Sequence, residues 1–569
     1  MTDDGRLGRR DLFRLGAGAG AAAVAGAALA GCHERAPDWA SGAGHEAPPS
    51  AGAPATHAVA ALPHAELEEA AIAELQARMR SGAESARSLV EKYRARIDAV
   101  DRRGPELRAV LELDPDADAL AAARDGERQA GKLRGPLHGI PILVKDNIDT
   151  GDRMTTTAGS LALAGSHAPK DAPLVARLRE AGAILLGKAN LSEWANFRGN
   201  GSSSGWSARG GQCRNPYVLD RSPSGSSSGS AAATAASLCA AAIGTETDGS
   251  ITSPASCCGL VGLKPTVGLV SRSGIVPIAA SQDTAGPMAR TVADAAALLT
   301  VLAGADPDDP ATTAAHPARP PAPVDYTKAL DPQALKGARL GVPRAGFFGV
   351  NRNVDALMKV ALDQLAALGA VLVDPAELVV PPELADAELT VLAAELQTYL
   401  DRYLATRAGD AKVRTLADVI AFNQQHAREE LGLFGQELFE KAAASGGITS
   451  PAYAQARATC LRIAKDELLD KVMSDHGLDA FVTATGAPAW LIDPVDGDSV
   501  FGPSSTTLPA VAGYPHVTVP AGAYRGLPIG LSFFGPAFSE ARLLGYAFAY
   551  EQATRARRPP RFLPTAPLA

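Results

Sequence analysis

Two loops rich in serine and glycine, at residues 224–230 (SGSSSGS) and 245–250 (TETDGS), hold the hydroxyl groups best placed for nucleophilic chemistry. Their glycines permit tight turns and leave backbone N–H groups open to a bound anion or an oxyanion. The segment between them, residues 230–243, is small and apolar, which predicts a buried helix and then a short strand ending near Ile243. A flexible linker is the alternative interpretation, but linkers are seldom followed by a buried helix. We therefore expect the two loops to face each other across a cleft.

A serine hydroxyl is a weak nucleophile without a proton acceptor, and neither loop contains a histidine. The nearest upstream candidate for a base is Lys145, which ends the apolar run of residues 142–145 (ILVK). Burial disfavours the charged ammonium and lowers a lysine pKa toward the range useful for a base. The competing interpretation is a strand-end lysine that reaches solvent or pairs with Asp146. The spacing alone favours this second interpretation.

Several ordered motifs resemble those of the amidase signature family. They are KDN at 145–147, the two serine-glycine loops, GLKPT at 262–266, VSRSG at 270–274 and SQDTAGPMAR at 281–290. The resemblance covers roughly residues 64–555 and is most specific between 140 and 300. Within the family, the stretches SSSGWSARGGQCRNPY and GTETDGSITSPAS are most similar to bacterial peptide amidases, which remove the C-terminal amide of peptides.

The resemblance implies a Ser–cis-Ser–Lys triad. Carried over by motif, Ser250 is the nucleophile, Ser226 the bridging serine after a cis peptide bond, and Lys145 the base. Neutral Lys145 would accept a proton from Ser226, which takes one from Ser250 as Ser250 attacks the amide carbonyl. The relay then runs backwards to protonate the leaving amine or ammonia, and water hydrolyses the acyl-enzyme.

Substrate-binding residues also follow from the resemblance. The backbone N–H groups of Thr247, Asp248, Gly249 and Ser250 are expected to bind the oxyanion. Asn200 is expected to line the cleft, and a loop residue without contact to substrate is the alternative. Many relatives carry glycine in place of Asp248, which shapes the mouth of the site or simply caps a turn. Our hypothesis for the first case is that its carboxylate disfavours substrates with a free C-terminal carboxylate and spares a C-terminal amide. Four further residues are expected either to support the triad or simply to form hydrogen bonds within turns: Asp146, Asn147, Ser227 and Asp283.

Composition limits the other kinds of site. The 569 residues carry a net charge of −8 and no long basic run, so nucleic acid is not an expected partner. The ten histidines show no metal-ligand spacing, and we expect neither a metal nor a cofactor. Six cysteines without regular spacing do not form a disulfide framework, although one bridge is compatible with them.

The N-terminus predicts export. A twin arginine at residues 9–10 precedes an apolar stretch and the sequence LAGC, which ends at Cys32. These features are typical of a Tat-type lipoprotein signal peptide over residues 1–31, a lipid anchor on Cys32 and a flexible tether over residues 32–62. We expect a periplasmic, membrane-anchored lipoprotein. The alternatives are an ordinary signal or a transmembrane anchor, and the apolar run of about 16 residues is short for the latter.

Alternating helical and apolar strand patterns predict one α/β domain over residues 63–569, with a mixed central sheet covered by helices on both faces. A helical insertion is expected at about 382–475. Expected helices lie near 64–80, 84–102, 115–131, 171–182, 291–303, 353–368 and 539–555. Expected strands lie at 136–145, 183–186, 338–342, 370–373, 479–483, 516–521 and 529–534.

The expected function is that of an exported serine amidase that hydrolyses linear carboxylic amides, with peptide C-terminal amides as candidate substrates. One alternative is the amidase subunit of glutamyl-tRNA amidotransferase, which export disfavours because tRNA charging is cytoplasmic. The other is a non-catalytic, lipid-anchored binding protein on the same scaffold, which the three filled triad positions disfavour. The sequence leaves open which amide is cleaved and whether the protein is a monomer or a homodimer.

Overall fold

The structure is a computed structural model that describes residues 63–407 and 411–567. The predicted signal peptide, Cys32 and the predicted tether lie outside the described residues. No helix within the described ranges is long and apolar enough to cross a bilayer. The five cysteines in these ranges are buried free thiols, so the structure contains no disulfide there.

A mixed sheet organises the described residues. It contains eleven strands in the order β1-β3-β2-β6-β8-β7-β12-β13-β11-β9-β10, and a separate short hairpin pairs β4 with β5. β2 runs parallel to both β3 and β6, and β9 runs parallel to both β10 and β11, whereas the remaining pairs are antiparallel. The strands are β1 Val110–Leu113, β2 Pro141–Lys145, β3 Ile184–Ala189, β4 Trp206–Ser207, β5 Gly211–Gln212, β6 Ala241–Glu246, β7 Val261–Lys264, β8 Thr284–Ala289, β9 Arg339–Gly341, β10 Val371–Val373, β11 Ala480–Ala484, β12 His516–Tyr524 and β13 Leu527–Phe534.

Helices flank this sheet. Every residue of β2, β3, β6 and β8 is buried, as expected of strands covered on both faces. The helices are α1 Ile72–Ser81, α2 Ala86–Arg96, α3 Ala117–Gln129, α4 Pro173–Glu180, α5 Ser228–Ala235, α6 Thr252–Cys257, α7 Val292–Leu302, α8 Pro310–Thr313, α9 Arg352–Ala367, α10 Glu383–Ala405, α11 Leu416–Gln425, α12 Ala427–Glu430, α13 Glu437–Ala443, α14 Pro451–Cys460, α15 Lys471–His476, α16 Thr507–Val511 and α17 Glu540–Thr554. Two π-helical segments, Ile97–Arg102 and Leu461–Asp470, continue α2 and α14. The predicted fold class is confirmed.

Three strands of the sheet, β1, β7 and β8, were absent from the sequence-based expectation. β8 contains Gly286 and Pro287, residues that argue against a central strand. Glycine is nevertheless needed at residue 286 for close packing within the sheet, because a Cβ on Gly286 would lie 2.0 Å from the carbonyl oxygen of Leu263. The strand expected to end near Ile243 continues instead to Glu246, because β8 pairs with β6 as far as that residue.

Helices α10–α15 occupy the region predicted as a helical insertion. One apolar face of α10 contributes Leu396, Leu400 and Leu404 to a buried cluster that also contains Trp194 and Ile278. Trp194 lies in a short 3-10 turn that follows β3, and Ile278 lies in the loop before β8, so both are close to the sheet edge at which β2 and β6 end. The insertion therefore packs directly against loops that border the candidate site.

Candidate active site

The sheet topology explains how Lys145 reaches the two serine-glycine loops. β2 and β6 are parallel neighbours, with Val144 opposite Ile243, so their carboxyl ends meet at one edge of the sheet. Lys145 ends β2, and Thr245 lies near the end of β6. The Lys145 Nζ atom lies 2.7 Å from Ser226 Oγ, 2.8 Å from Thr245 Oγ1 and 3.2 Å from the Thr245 carbonyl oxygen.

Burial makes the Lys145 amine easier to deprotonate. Its side chain is fully buried, and the loss of hydration lowers its pKa to about 7 against the smaller opposing effects of the Asp283 and Glu246 charges. A substantial fraction of the amine is therefore neutral near physiological pH. The alternative expectation, a lysine that reaches solvent, is wrong.

The first loop fixes Ser226 from its backbone. The Gly225–Ser226 peptide bond is cis, and the Ser226 carbonyl accepts a hydrogen bond of 3.0 Å from the Ser192 N–H group. A Cβ on Gly225 would lie 2.1 Å from Ser192 Oγ. A side chain at this position would therefore have to displace the Ser192 hydroxyl group.

Ser227 joins the first loop to the second. Its N–H group donates to the Ser250 carbonyl at 3.1 Å, and its hydroxyl donates to the Thr245 carbonyl at 3.0 Å. Ser250 itself is largely buried, just before α6. The structure therefore brings Lys145, Ser226 and the Ser250 loop into one connected unit.

The backbone around Ser250 offers unpaired donors. Throughout the described ranges, no residue accepts a hydrogen bond from the N–H groups of Thr247, Asp248, Gly249 or Ser250. The next two N–H groups, those of Ile251 and Thr252, both donate to the Glu246 carboxylate, at 2.7 and 2.9 Å. Four consecutive free donors can form an oxyanion site.

Side chains hold residues 247–250, here called the donor loop, in place. Thr247 Oγ1 donates to Asp283 Oδ1 at 2.5 Å, and Asp283 Oδ2 accepts from the backbone N–H groups of Ile278 and Ala279. Burial raises the pKa of Asp283 to about 6, although these hydrogen bonds favour its charged form. Gly249 adopts a left-handed φ of +79°, a conformation that favours glycine.

Asp248 is the acidic group of the donor loop. Its Oδ2 accepts a 2.7 Å hydrogen bond from Thr507 Oγ1, whereas its Oδ1 is buried without a partner among the described residues. Burial raises its pKa, and hydrogen bonds from Thr506 and Thr507 partly offset that effect. An N–H donor of a bound substrate would satisfy Oδ1.

A second carboxyl group, Glu388 on α10, lies near this loop, and the sequence did not single it out. Gln282 Nε2 donates to Glu388 Oε1 at 2.8 Å and to the Thr247 carbonyl at 3.3 Å. Burial, followed by the charge of Asp248, raises the pKa of Glu388 well above its ordinary range. No motif in the insertion signals this residue, because it reaches the site only through tertiary packing.

Asn200 lies farther out than the triad. It is exposed, and its backbone N–H donates to Glu437 Oε2 of α13 at 2.9 Å. No described hydrogen bond connects it to Lys145, Ser226 or Ser250. A place at the cleft rim remains a prediction for this residue.

Comparison with known proteins agrees with this geometry. Residues 88–544 match the family model described as Amidase. The solved structure of native peptide amidase from Stenotrophomonas maltophilia is 55% identical, with a TM-score of 0.83 over 87% of this chain and 99% of that one.

Curated relatives extend across kingdoms. A probable amidase of Arabidopsis thaliana is 40% identical over 504 residues, which span 87% of this chain and 92% of the relative. A glutamyl-tRNA(Gln) amidotransferase subunit of Chloroflexus aurantiacus is 39% identical over 506 residues, 86% of this chain and 97% of the relative. The match over most of the chain, together with the buried Lys145–Ser226 contact beside the Ser250 loop, shows that this protein belongs to the amidase signature family and is an amidase acting on C–N bonds.

Proposed function

We propose that this amidase removes the C-terminal amide of peptides through an acyl-enzyme on Ser250, with Ser226 and Lys145 as the proton relay. The observation that carries the mechanism is the 2.7 Å contact between Lys145 Nζ and Ser226 Oγ inside a fully buried site. The 55% identity to a solved peptide amidase supports the substrate class.

Acylation begins when Ser250 Oγ forms a bond to the carbonyl carbon of the substrate amide. The Ser250 proton passes to Ser226 Oγ, whose own proton passes to the neutral Lys145 amine. The carbonyl oxygen becomes an oxyanion and is bound by the free N–H groups of residues 247–250. Each such donor contributes about 2.7–4 kcal/mol in comparable sites.

Collapse of the tetrahedral intermediate breaks the C–N bond. Lys145 returns its proton to Ser226, and Ser226 gives its proton to the departing nitrogen, which leaves as ammonia when the amide is primary. Water then attacks the Ser250 ester through the same relay. The products are the free peptide carboxylate and regenerated Ser250.

Asp248 gives this site its preference for an amidated terminus. Its carboxylate lies within the donor loop and would repel a substrate that carries a free C-terminal carboxylate. The unpartnered Oδ1 can instead accept an N–H of a primary amide. Assay of Asp248→Gly on amidated and free-acid peptides tests this role, because unchanged selectivity between the two would remove it.

The proposal includes export and attachment to the membrane through lipid on Cys32. Its support is the twin arginine at residues 9–10 and the LAGC sequence that ends at Cys32. Membrane fractionation of wild type and Cys32→Ser tests the anchor. A soluble Cys32→Ser protein beside a membrane-bound wild type is expected, and an equal distribution of the two would contradict lipidation.

The alternative function, an amidase subunit of glutamyl-tRNA amidotransferase, draws on the 39% identity to such subunits. The two functions differ in their need for a partner. The purified chain alone should hydrolyse peptide amides, and Ser250→Ala should abolish this activity. Screening against peptide amides, aryl amides and fatty amides then identifies the substrate class; preference for aryl or fatty amides over peptide amides would refute the proposed substrate.

A further inference from the structure

Two hydroxyl groups compete for the Lys145 amine. Three oxygen atoms surround Nζ, those of the Ser226 hydroxyl, the Thr245 hydroxyl and the Thr245 carbonyl. A neutral amine has two N–H groups and one lone pair, and the carbonyl can only accept. One N–H is therefore committed to the carbonyl. Of the two hydroxyls, one accepts the second N–H and the other donates to the lone pair.

Catalysis requires that the Ser226 hydroxyl, and not the Thr245 hydroxyl, donates to the Lys145 lone pair. Lys145 can take the Ser226 proton only when its lone pair faces Ser226 Oγ. The Thr245 hydroxyl must then accept from Lys145 and send its own proton elsewhere. The direction of the Thr245 O–H bond thus decides whether the relay is ready to act.

Asn147 is the group on the other side of Thr245. Its Nδ2 atom lies 2.9 Å from Thr245 Oγ1, and its Oδ1 is buried without a partner among the described residues. Asn147 is almost fully buried, so bulk water does not take either end of the carboxamide. The described ranges provide no other acceptor for the Thr245 hydroxyl proton.

The two ends of the carboxamide have opposite effects. When Nδ2 faces Thr245, the hydroxyl accepts from Asn147, and its proton competes with that of Ser226 for the Lys145 lone pair. A half-turn of the carboxamide places Oδ1 there instead, so the Thr245 proton bonds to Asn147. Lys145 then donates to Thr245 and presents its lone pair to Ser226.

We propose that Asn147 is a positioning residue that sets the direction of the proton relay through Thr245. When Oδ1 of Asn147 faces Thr245, Lys145 can accept the Ser226 proton. When Nδ2 faces Thr245, the relay is at rest. This inference rests on the proposed relay from Ser250 through Ser226 to Lys145. It adds a role for Asn147 and Thr245, neither of which forms a described hydrogen bond with Ser250.

A double-mutant cycle on a peptide amide tests the role. Asn147→Ala removes the acceptor for the Thr245 proton, and kcat/KM should fall about tenfold, as expected for one misdirected hydrogen bond. Thr245→Val removes the competing hydroxyl at nearly constant volume. The double variant should therefore be more active than Asn147→Ala alone. A purely structural role predicts that the second change lowers activity further, so a double variant at or below Asn147→Ala would overturn the proposal.

Asn147→Asp provides an independent check, because a carboxylate presents an acceptor at both ends. Its charge favours the Lys145 ammonium and raises the Lys145 pKa, so the acid limb of the pH profile should move to higher pH. On the alkaline plateau this variant should lose less activity than Asn147→Ala. An equal loss there, with unchanged melting temperatures for both variants, would contradict the proposal. Full activity of Ser226→Ala would instead refute the relay itself.

Discussion

Replacement of Lys145 by methionine tests whether a lysine with a lowered pKa is the base. The ordinary lysine pKa of 10.5 falls to about 7 in the buried site. At pH 7 about half of the Lys145 side chains are then neutral, against about one in three thousand for an unperturbed lysine, a difference worth about 5 kcal/mol. In wild type, kcat/KM for a peptide amide should rise tenfold per pH unit below 7 and level off above it.

The Lys145→Met variant should lose about 10²–10⁴-fold in kcat/KM, the usual contribution of a general base, and its residual rate should show no inflection near pH 7. Steady-state rates from pH 5 to 10, with protein concentration set by absorbance and folding checked by circular dichroism, give both profiles. A wild-type midpoint near 10, or an inflection near 7 that persists in the variant, would refute the assignment of the base.

The Lys145→Met variant should also change the stability of the fold. The folded pKa of Lys145 lies below its unfolded value, so the protonated amine favours the unfolded chain. This cost appears as pH falls below about 10.5 and is complete below about 7. Lys145→Met should therefore raise the melting temperature, most clearly at or below pH 7, by less than the full 5 kcal/mol because its three hydrogen bonds are lost.

Three further changes probe the neighbouring groups. Gly225→Ala places a Cβ against Ser192 Oγ and should cost about 1–3 kcal/mol of stability; Ser192→Ala should recover part of the lost melting temperature, and no recovery would argue against that contact. Ser226→Ala should lower kcat/KM by about 10²–10⁴-fold without a lower melting temperature, since it breaks the relay; near-normal rates would exclude a role in proton transfer. Glu388→Gln should raise the melting temperature at pH 8, because a carboxyl whose pKa is raised by burial destabilises the fold above its unfolded pKa. Glu388→Ala should lower the melting temperature by leaving Gln282 without its partner. A lower melting temperature for the Gln variant would mean that the fold stabilises the Glu388 carboxylate and does not raise its pKa.

Much of the site was predictable because its residues sit in short, ordered motifs. The apolar run before Lys145 indicated a buried strand, and the small residues between the loops indicated a buried helix and strand, now α5 and β6. The family resemblance, rather than spacing, paired Lys145 with Ser226. The structure adds the distance and burial that make the pair chemically competent.

Other features depend on tertiary contacts that leave no local pattern. β8 contains Gly286 and Pro287, which weaken a strand prediction, yet its backbone lies between β6 and β7. Glu388 lies on a helix more than a hundred residues from the donor loop that it supports through Gln282. Thr245 offered no signal beyond its place in TETDGS, because its role arises from two neighbours on other segments.

In the proposed mechanism, Ser250 carries the acyl group. Purified enzyme mixed with a peptide ester or amide, quenched in acid within milliseconds and digested for peptide mapping by mass spectrometry, tests it directly. An acyl adduct on Ser250 that is absent from Ser250→Ala is expected, together with loss of turnover in that variant. An adduct on Ser226 or Ser227, or continued turnover by Ser250→Ala, would contradict it.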